Sequence, residues 1–339
     1  MPDAIPLRRL GRSGLTISRL ALGTMTFGDR TDDAEAGRIF AAAAEAGVNF
    51  IDTADIYAGG RSEEITGRLL AGRRDDFILA TKAGNARGDD PNRRGLSRRW
   101  LNHAVDASLT RLGTDYIDIL YLHRDDRQTP LEETARALGD LRRAGKIRYF
   151  GVSNFRAWQI ARLCEICRSD GIDGPVALQP VYHVLNRSAE TELLPVCDEY
   201  GIGVVTYSPT ARGILTGKYG TDTPPPPDSR GALKNRRMME AEFYPENLAA
   251  GAAFAALARD RGVDPAALAT AWVLANDLVS SVIAGPRTFE QWMGYAAAPA
   301  CSIDRDLEDA IDGLVRPGAT AVPQFIDPIY PVDGRVARF

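Results

Sequence analysis

The feature that most narrows what this 339-residue chain can fold into is a strand–helix alternation that runs from Arg19 almost to its end. Short apolar runs rich in strand formers recur between stretches whose apolar residues have helical spacing. Strands are predicted at Arg19–Leu22, Val48–Ile51, Asp76–Thr81, Tyr116–Leu122, Lys146–Val152, Pro175–Leu178, Gly201–Thr206 and Leu278–Ile283. The helices between them are predicted at Asp32–Ala46, Ser62–Leu70, Ser97–Leu112, Pro130–Ala144, Trp158–Cys167, Ala189–Tyr200 and Pro265–Leu274. Several stop at a glycine (Gly47, Gly113, Gly145), as helices commonly do. Strands joined by helical crossovers are parallel. Eight of them predict a closed (β/α)8 barrel rather than an open doubly wound sheet, and no G-x-G-x-x-G follows the first strand.

Residues 1–339 read as one domain, with no linker dividing them. Leu7–Ile17 reads as a β-hairpin ahead of the barrel. The long stretch between strand seven and Pro265 breaks the alternation and holds the run Pro224–Pro227 and an extra helix at Asn247–Arg261. An insertion at that lip of a barrel suits a covering loop. A last helix at Asp304–Leu314 precedes a tail containing Pro and Gly.

Composition excludes several function classes. Hydrophobic content of 45% and charged content of 25% are those of a soluble globular protein. With 41 basic residues, 45 acidic ones and a net charge of −4, nothing points to nucleic acid. Met1–Arg9 has no apolar run of signal-peptide length, and the alanine-rich Leu248–Ala258 is too short to cross a bilayer, so a cytoplasmic protein is expected. Four cysteines make no disulfide framework. Cys164 and Cys167, spaced C-x-x-C with no second pair, read as two small buried residues on one helix face.

The barrel brings Asp52, Lys82 and His123 together, because they close strands two, three and four, which are neighbours in its wall. Tyr57 can curl back over them from the loop after Asp52. A phenol with an ordinary pKa near ~10 is a poor acid–base group at neutral pH. The Lys82 ammonium is expected to lower it, and Asp52 to keep Lys82 charged. His123 can donate to a carbonyl oxygen or share the proton of Tyr57. The set suits protonation of a carbonyl oxygen while hydride reaches its carbon. A Schiff-base role for Lys82 is the competing chemistry, and Asp52 alongside argues against it. The other histidines, His103 and His183, lie away from these strand ends.

The chain resembles the aldo-keto reductases along nearly its whole length. The match runs through Leu10–Leu15, Leu22–Gly28, Asp52–Tyr57, Thr81-Lys82, Gly95–Arg98, Leu122–Arg124, Gly151–Phe155, Gln179 and Tyr207–Pro209. The resemblance implies Tyr57 as proton donor with Asp52, Lys82 and His123 as partners, and NADP(H) as hydride source, with NAD(H) possible. It implies that Gly23, Thr24, Met25 and Asp52 meet the nicotinamide ribose, Ser153, Asn154 and Gln179 the carboxamide, and Tyr207 the nicotinamide face. Ser208, Pro209, Ala211, Arg212 and Gly213 would hold the pyrophosphate. Leu215–Tyr219 and Ser229–Lys234 are similar to the branch containing potassium-channel β subunits, which brings Lys218 and Arg230 to the phosphates. Gly285, Arg287 and Gln291 match the adenosine-phosphate pattern, Arg287 as a 2′-phosphate ligand. The family's usual Glu-Asn is here Gly294-Tyr295, and its Leu-Gly is Thr210-Ala211, so the adenine end is expected to be held more loosely or by stacking on Tyr295. The expected partner is a small carbonyl compound, reduced to an alcohol or formed by oxidation of a sugar or alcohol. A regulatory protein that holds the cofactor with negligible turnover is the alternative. The loops Asn85–Gly95 and Thr210–Glu246 are expected to set substrate choice.

Overall fold

The protein is described by a computed structural model in which residues 4–220 and 223–328 are placed. Two antiparallel strands, β1 (Leu7–Arg9) and β2 (Thr16–Ser18), form the expected hairpin. Eight parallel strands then close a barrel: β3 (Leu20–Gly23), β4 (Phe50–Asp52), β5 (Ile78–Ala83), β6 (Ile117–Leu122), β7 (Ile147–Ser153), β8 (Ala177–Gln179), β9 (Gly203–Tyr207) and β10 (Val279–Ala284). Each pairs with its successor, and β10 returns to β3 with Val282 opposite Leu20 and Ala284 opposite Leu22. The predicted (β/α)8 barrel is therefore the fold.

The helices that cover it are α1 (Asp33–Glu45), α2 (Arg61–Leu70), α3 (Arg98–Leu112), α4 (Leu131–Arg143), α5 (Ala157–Ser169) and α6 (Leu193–Tyr200). Then come α7 (Arg236–Ala241), α8 (Pro245–Asp260), α9 (Pro265–Ala275), α10 (Phe289–Ala296) and α11 (Arg305–Leu314). Their starts follow from the sequence: Asp32 caps α1, Ser97 caps α3 and Asp264 caps α9, each accepting a hydrogen bond from an amide of the first turn. Gly113 ends α3 with φ 62°, a left-handed turn that glycine takes without a Cβ penalty.

Two apolar layers follow from the two-residue period of a strand. Leu22, Ile51, Leu79, Leu120, Val152, Leu178, Val204 and Val282 face outward and pack under the helices. Ala21, Phe50, Ala80, Ile119, Ala177, Val205 and Ile283 face inward. Leu10 and Ile17 of the hairpin join this inner cluster, so the hairpin plugs the barrel floor. Cys164 and Cys167 lie buried and unbonded on α5, their thiols pushed up to about 11 and about 12, chiefly by burial. They behave as the small core residues their spacing suggested.

Sequence and structure differ at the strand exits. Strands β5, β7, β8 and β9 run one or two residues past their apolar runs, to Ala83, Ser153, Gln179 and Tyr207. Backbone pairing continues there although the inward side chains turn polar, and an apolar run cannot signal that. The helices α7 and α10 were also not foreseen. Helix α7 is short and charge-rich and begins at an Asn235 cap; α10 begins at a Thr288 cap. No helix among the described residues is long and apolar enough to cross a membrane. The tail past Pro328 lies outside the described residues.

Candidate active site

One layer above the inner core, the inward positions change character. Moving two residues on along the inward face from Ala21, Phe50, Ala80, Tyr121, Gly151, Ala177, Val205 and Ile283 gives Gly23, Asp52, Lys82, His123, Ser153, Gln179, Tyr207 and Gly285. Ladder partners place them level: Gly23 lies opposite Asp52, and Ser153 opposite Gln179. The barrel that buries an apolar layer thus lifts a polar ring onto its C-terminal rim, where barrel enzymes hold their sites.

On one side of the ring the groups meet directly. The Lys82 Nζ donates to Asp52 Oδ1 at 2.5 Å, to the Thr53 carbonyl at 2.8 Å and to the Tyr57 hydroxyl at 3.2 Å. Gln179 Nε2 donates to the other Asp52 oxygen at 2.8 Å, so both carboxylate oxygens are used. Asp52 is 2% exposed and Lys82 1%. Tyr57 opens a tight turn, Tyr57–Gly60, left-handed at Ala58 and Gly59, and its ring lies edge-on to His123 with centroids 6.0 Å apart. All four predicted catalytic groups converge.

Their protonation states follow from burial and charge. Burial alone would lower the Lys82 ammonium, but Asp52 and then Tyr57 hold it above its usual value. His123 is pulled down to about 3, by burial first and then by Lys82 and Arg124, so its imidazole is neutral. The expectation for Tyr57 is corrected. Lys82 does favour the phenolate, but burial outweighs it and the phenol stays above its ordinary value. The phenol is therefore protonated at neutral pH, and the Lys82 ammonium is what favours its anion.

A cleft of about 560 Å³ runs from this corner across the rim to β10. Gly23, Met25, Ser153, Asn154, Gln179, Tyr207, Ser208, Pro209, Arg212 and Gly213 line it near the mouth. Tyr207 OH donates to Asn154 Oδ1 at 3.0 Å, Asn154 Nδ2 donates to the His123 carbonyl at 2.9 Å, and Ser153 Oγ donates to the Gln179 carbonyl at 2.8 Å. These bonds fix the Tyr207 ring and the Asn154 amide. Asn154, Ser208, Ala211 and Arg212 have left-handed φ of 56°, 60°, 47° and 54°. Such backbones cost about 1 kcal/mol or more each and gather where a site needs them. At the far end Lys218, Arg230, Gly285, Arg287 and Gln291 line the cleft.

Two predicted contacts sit differently. The Thr24 hydroxyl points into the wall, 3.2 Å from the Asp52 carbonyl and 2.8 Å from Ser62 Oγ, and braces the strand rather than facing the cleft. Ala211 is fully buried and makes a turn onto the Ser208 carbonyl. Phe27 and Phe155 are buried core residues, whereas Met25 and Tyr57 line the cleft.

Sequence reasoning missed Arg30 and Arg237. Arg30 lines the far end and shares the Asp228 carbonyl with Arg287. Arg237 reaches the cleft from α7 and holds both oxygens of Asp327, at 2.7 and 2.5 Å. Neither has a local signal, since each is placed by contacts far away in sequence.

The cleft's far end suits a polyanion. Among the described residues, Arg30, Lys218, Arg230 and Arg287 have no carboxylate within ion-pairing distance. Burial first, and then neighbouring arginines, pull Lys218 and Arg230 below their usual values. Cations crowded into a half-dry groove fit the phosphates of a dinucleotide, and guanidinium groups match them geometrically. Beside them, the exposed face of Tyr207 with the Asn154 and Gln179 amides fits a flat ring bearing a carboxamide.

The comparisons agree with this layout. The sequence profile of the Aldo/keto reductase family matches residues 19–316. A "Probable voltage-gated potassium channel subunit beta" from Oryza sativa subsp. japonica is 41% identical over 284 residues, covering 82% of this chain and 86% of that protein. One from Arabidopsis thaliana has the same identity and coverage. An uncharacterized oxidoreductase of Bacillus subtilis is 37% identical over 314 residues, covering 88% and 92%. Barrel, rim chemistry and sequence match together make this chain a member of the aldo/keto reductase family.

Proposed function

We propose that the protein is an NADP(H)-dependent carbonyl reductase, converting aldehydes or ketones to alcohols, with Tyr57 as general acid. The observation that carries this reading is the 3.2 Å contact between the Tyr57 hydroxyl and Lys82 Nζ, at the mouth of a cleft whose far end is lined by unpaired cations. A reduced nicotinamide, when bound, supplies the hydride. Ser153, Asn154, Gln179 and Tyr207 would hold its ring, and Lys218, Arg230 and Arg287 its phosphates.

The chain's own groups do the rest. Neutral His123 can donate to the substrate carbonyl oxygen and orient it without adding charge. As the carbonyl carbon gains hydride, its π pair moves to oxygen, and that oxygen takes the Tyr57 proton. The phenolate left behind lies beside Lys82, whose charge Asp52 has pinned in place. Water then returns the proton. In reverse the same phenolate accepts a proton from an alcohol or sugar hydroxyl.

Steady-state NADPH oxidation with a panel of aldehydes, ketones and aldoses tests this, with NADH as comparison. Turnover that vanishes in Tyr57→Phe supports it; turnover that survives in that variant overturns it. The names of the plant relatives favour a second reading, a regulatory subunit that holds the cofactor with negligible turnover. A protein that quenches NADPH fluorescence yet reduces nothing on the panel would favour that one.

A further inference from the structure

Directly behind the catalytic corner lies a second pair of acids that the reaction above does not use. Asp55 stands two residues before Tyr57 and is 1% exposed. Its backbone N–H donates to the Lys82 carbonyl at 3.1 Å, so its position is tied to the strand that carries the ammonium. Neither of its carboxyl oxygens has a well-formed hydrogen bond among the described residues. Glu63 on α2, also fully buried, is the opposite case. Thr81 Oγ1 donates to one of its oxygens at 2.5 Å, and Arg111 Nε to the other at 2.7 Å.

Two buried carboxyl groups that feel each other's charge cannot both ionise cheaply. Glu63 has a guanidinium and a hydroxyl to hold its charge. Asp55 has neither, so burial favours its neutral form. The charged groups that face Asp55 are Glu63 from α2, Arg87 from the loop after β5, Arg111 from α3, and Tyr57 on its own loop. Both arginines are engaged elsewhere, Arg87 at the Gly59 carbonyl at 2.8 Å and Arg111 at Glu63. Burial first, and Glu63 second, push Asp55 up to about 7. An ionised Asp55 in turn makes the Tyr57 phenolate harder to form.

We propose that Asp55 is a positioning residue that stays neutral while Tyr57 gives up its proton, and that its ionisation turns the phenol into a poorer donor. The proposal rests on the carbonyl-reduction reading. It predicts an alkaline decline of the reductive rate, set by a group that touches neither substrate nor cofactor.

The test compares Asp55→Asn with the parent in two ways. In the first, kcat for aldehyde reduction by NADPH is followed across pH. The parent is expected to lose about three- to tenfold across a step centred near pH 7, and the variant to match the parent below the step and lack it. The second readout needs no turnover. A carboxyl that is neutral when folded and ionised when unfolded favours the native state less as pH rises from its unfolded to its folded pKa. The variant's melting temperature should therefore gain on the parent's between pH 4 and pH 8. Parallel melting profiles overturn the proposal whether or not the protein reduces carbonyls, and so does a step that Asp55→Asn keeps. A parent inactive on every carbonyl fails the reductase reading instead. The Tyr57 titration, read by ultraviolet difference against Tyr57→Phe, then replaces the rate, and a midpoint unmoved by Asp55→Asn overturns the proposal. If Asp55→Asn does not fold, Glu63→Gln carries the test, since removing the opposing charge must move the step to lower pH.

Discussion

The two ends of the cleft are built on opposite plans. At the mouth, Asp52 and Lys82 sit in strands, nearly inaccessible, each charge answered by a neighbour 2.5 Å away. At the far end, Arg30, Lys218, Arg230 and Arg287 sit in loops, and among the described residues no carboxylate answers them. The mouth is electrostatically complete without a ligand. The far end is not, and its mutual repulsion is relieved only by an anion. On the proposed function the difference separates two tasks: holding a proton at a fixed atom, which needs rigid pre-organisation, and gripping a polyphosphate, which needs stored attraction.

If that division is right, substitutions at the mouth should strike kcat and those at the far end KM for the cofactor. Tyr57→Phe tests it hardest. Losing the phenolic proton should lower kcat by about 10³- to 10⁴-fold while leaving NADPH affinity, read by fluorescence quenching, within about twofold. Next comes Lys82→Met, expected to lower kcat by about 10²- to 10³-fold because the phenolate loses its counter-charge. It also leaves Asp52 buried without its ammonium, a loss of about 3–5 kcal/mol that denaturant melts would register. A Lys82→Met protein as stable as the parent would show that the pair is less dry than its burial indicates.

Smaller effects are expected from the far end. Arg287→Leu removes a guanidinium that, among the described residues, donates only to the Asp228 carbonyl at 2.8 Å. It should raise KM for NADPH about 10- to 100-fold and leave kcat and stability nearly unchanged. Arg30→Ala, which withdraws the second guanidinium from the same carbonyl, should follow the same pattern more weakly. A kcat loss in either variant would mean that the two ends are coupled and the comparison is too simple.

How far the sequence could be read follows the same line. Asp52, Lys82 and His123 were legible because each stands two residues beyond an inward apolar residue, and barrel topology alone makes those strands neighbours. Tyr57 was legible through its motif. The far end was only partly so. Arg237 is placed by Asp327, ninety positions away, and the buried His183 touches Glu242 at 3.2 Å across 59. No local pattern carries such contacts. The direction of the Tyr57 shift was missed for a different reason: a charge beside a phenol is visible in sequence, whereas the depth of its burial is not. Asp55 lay inside a recognised motif, and its lack of partners appears only once α2 and α3 are packed around it.

The smallest expected effect is an absence, and it concerns His123. A histidine that titrated ordinarily near ~6.5 would put an acid limb on the reductive rate, because its protonation would place a second cation beside Lys82. Here burial, Lys82 and Arg124 hold His123 neutral down to about 3. Between pH 6.5 and 5 kcat should therefore stay level within about twofold, whatever happens on the alkaline side. The imidazole can also be followed directly, by the pH dependence of its carbon-bound proton resonances. A midpoint above pH 5 would mean that water reaches the ring more freely than its position implies, and the mouth would then be less rigidly desolvated than the comparison with the far end requires.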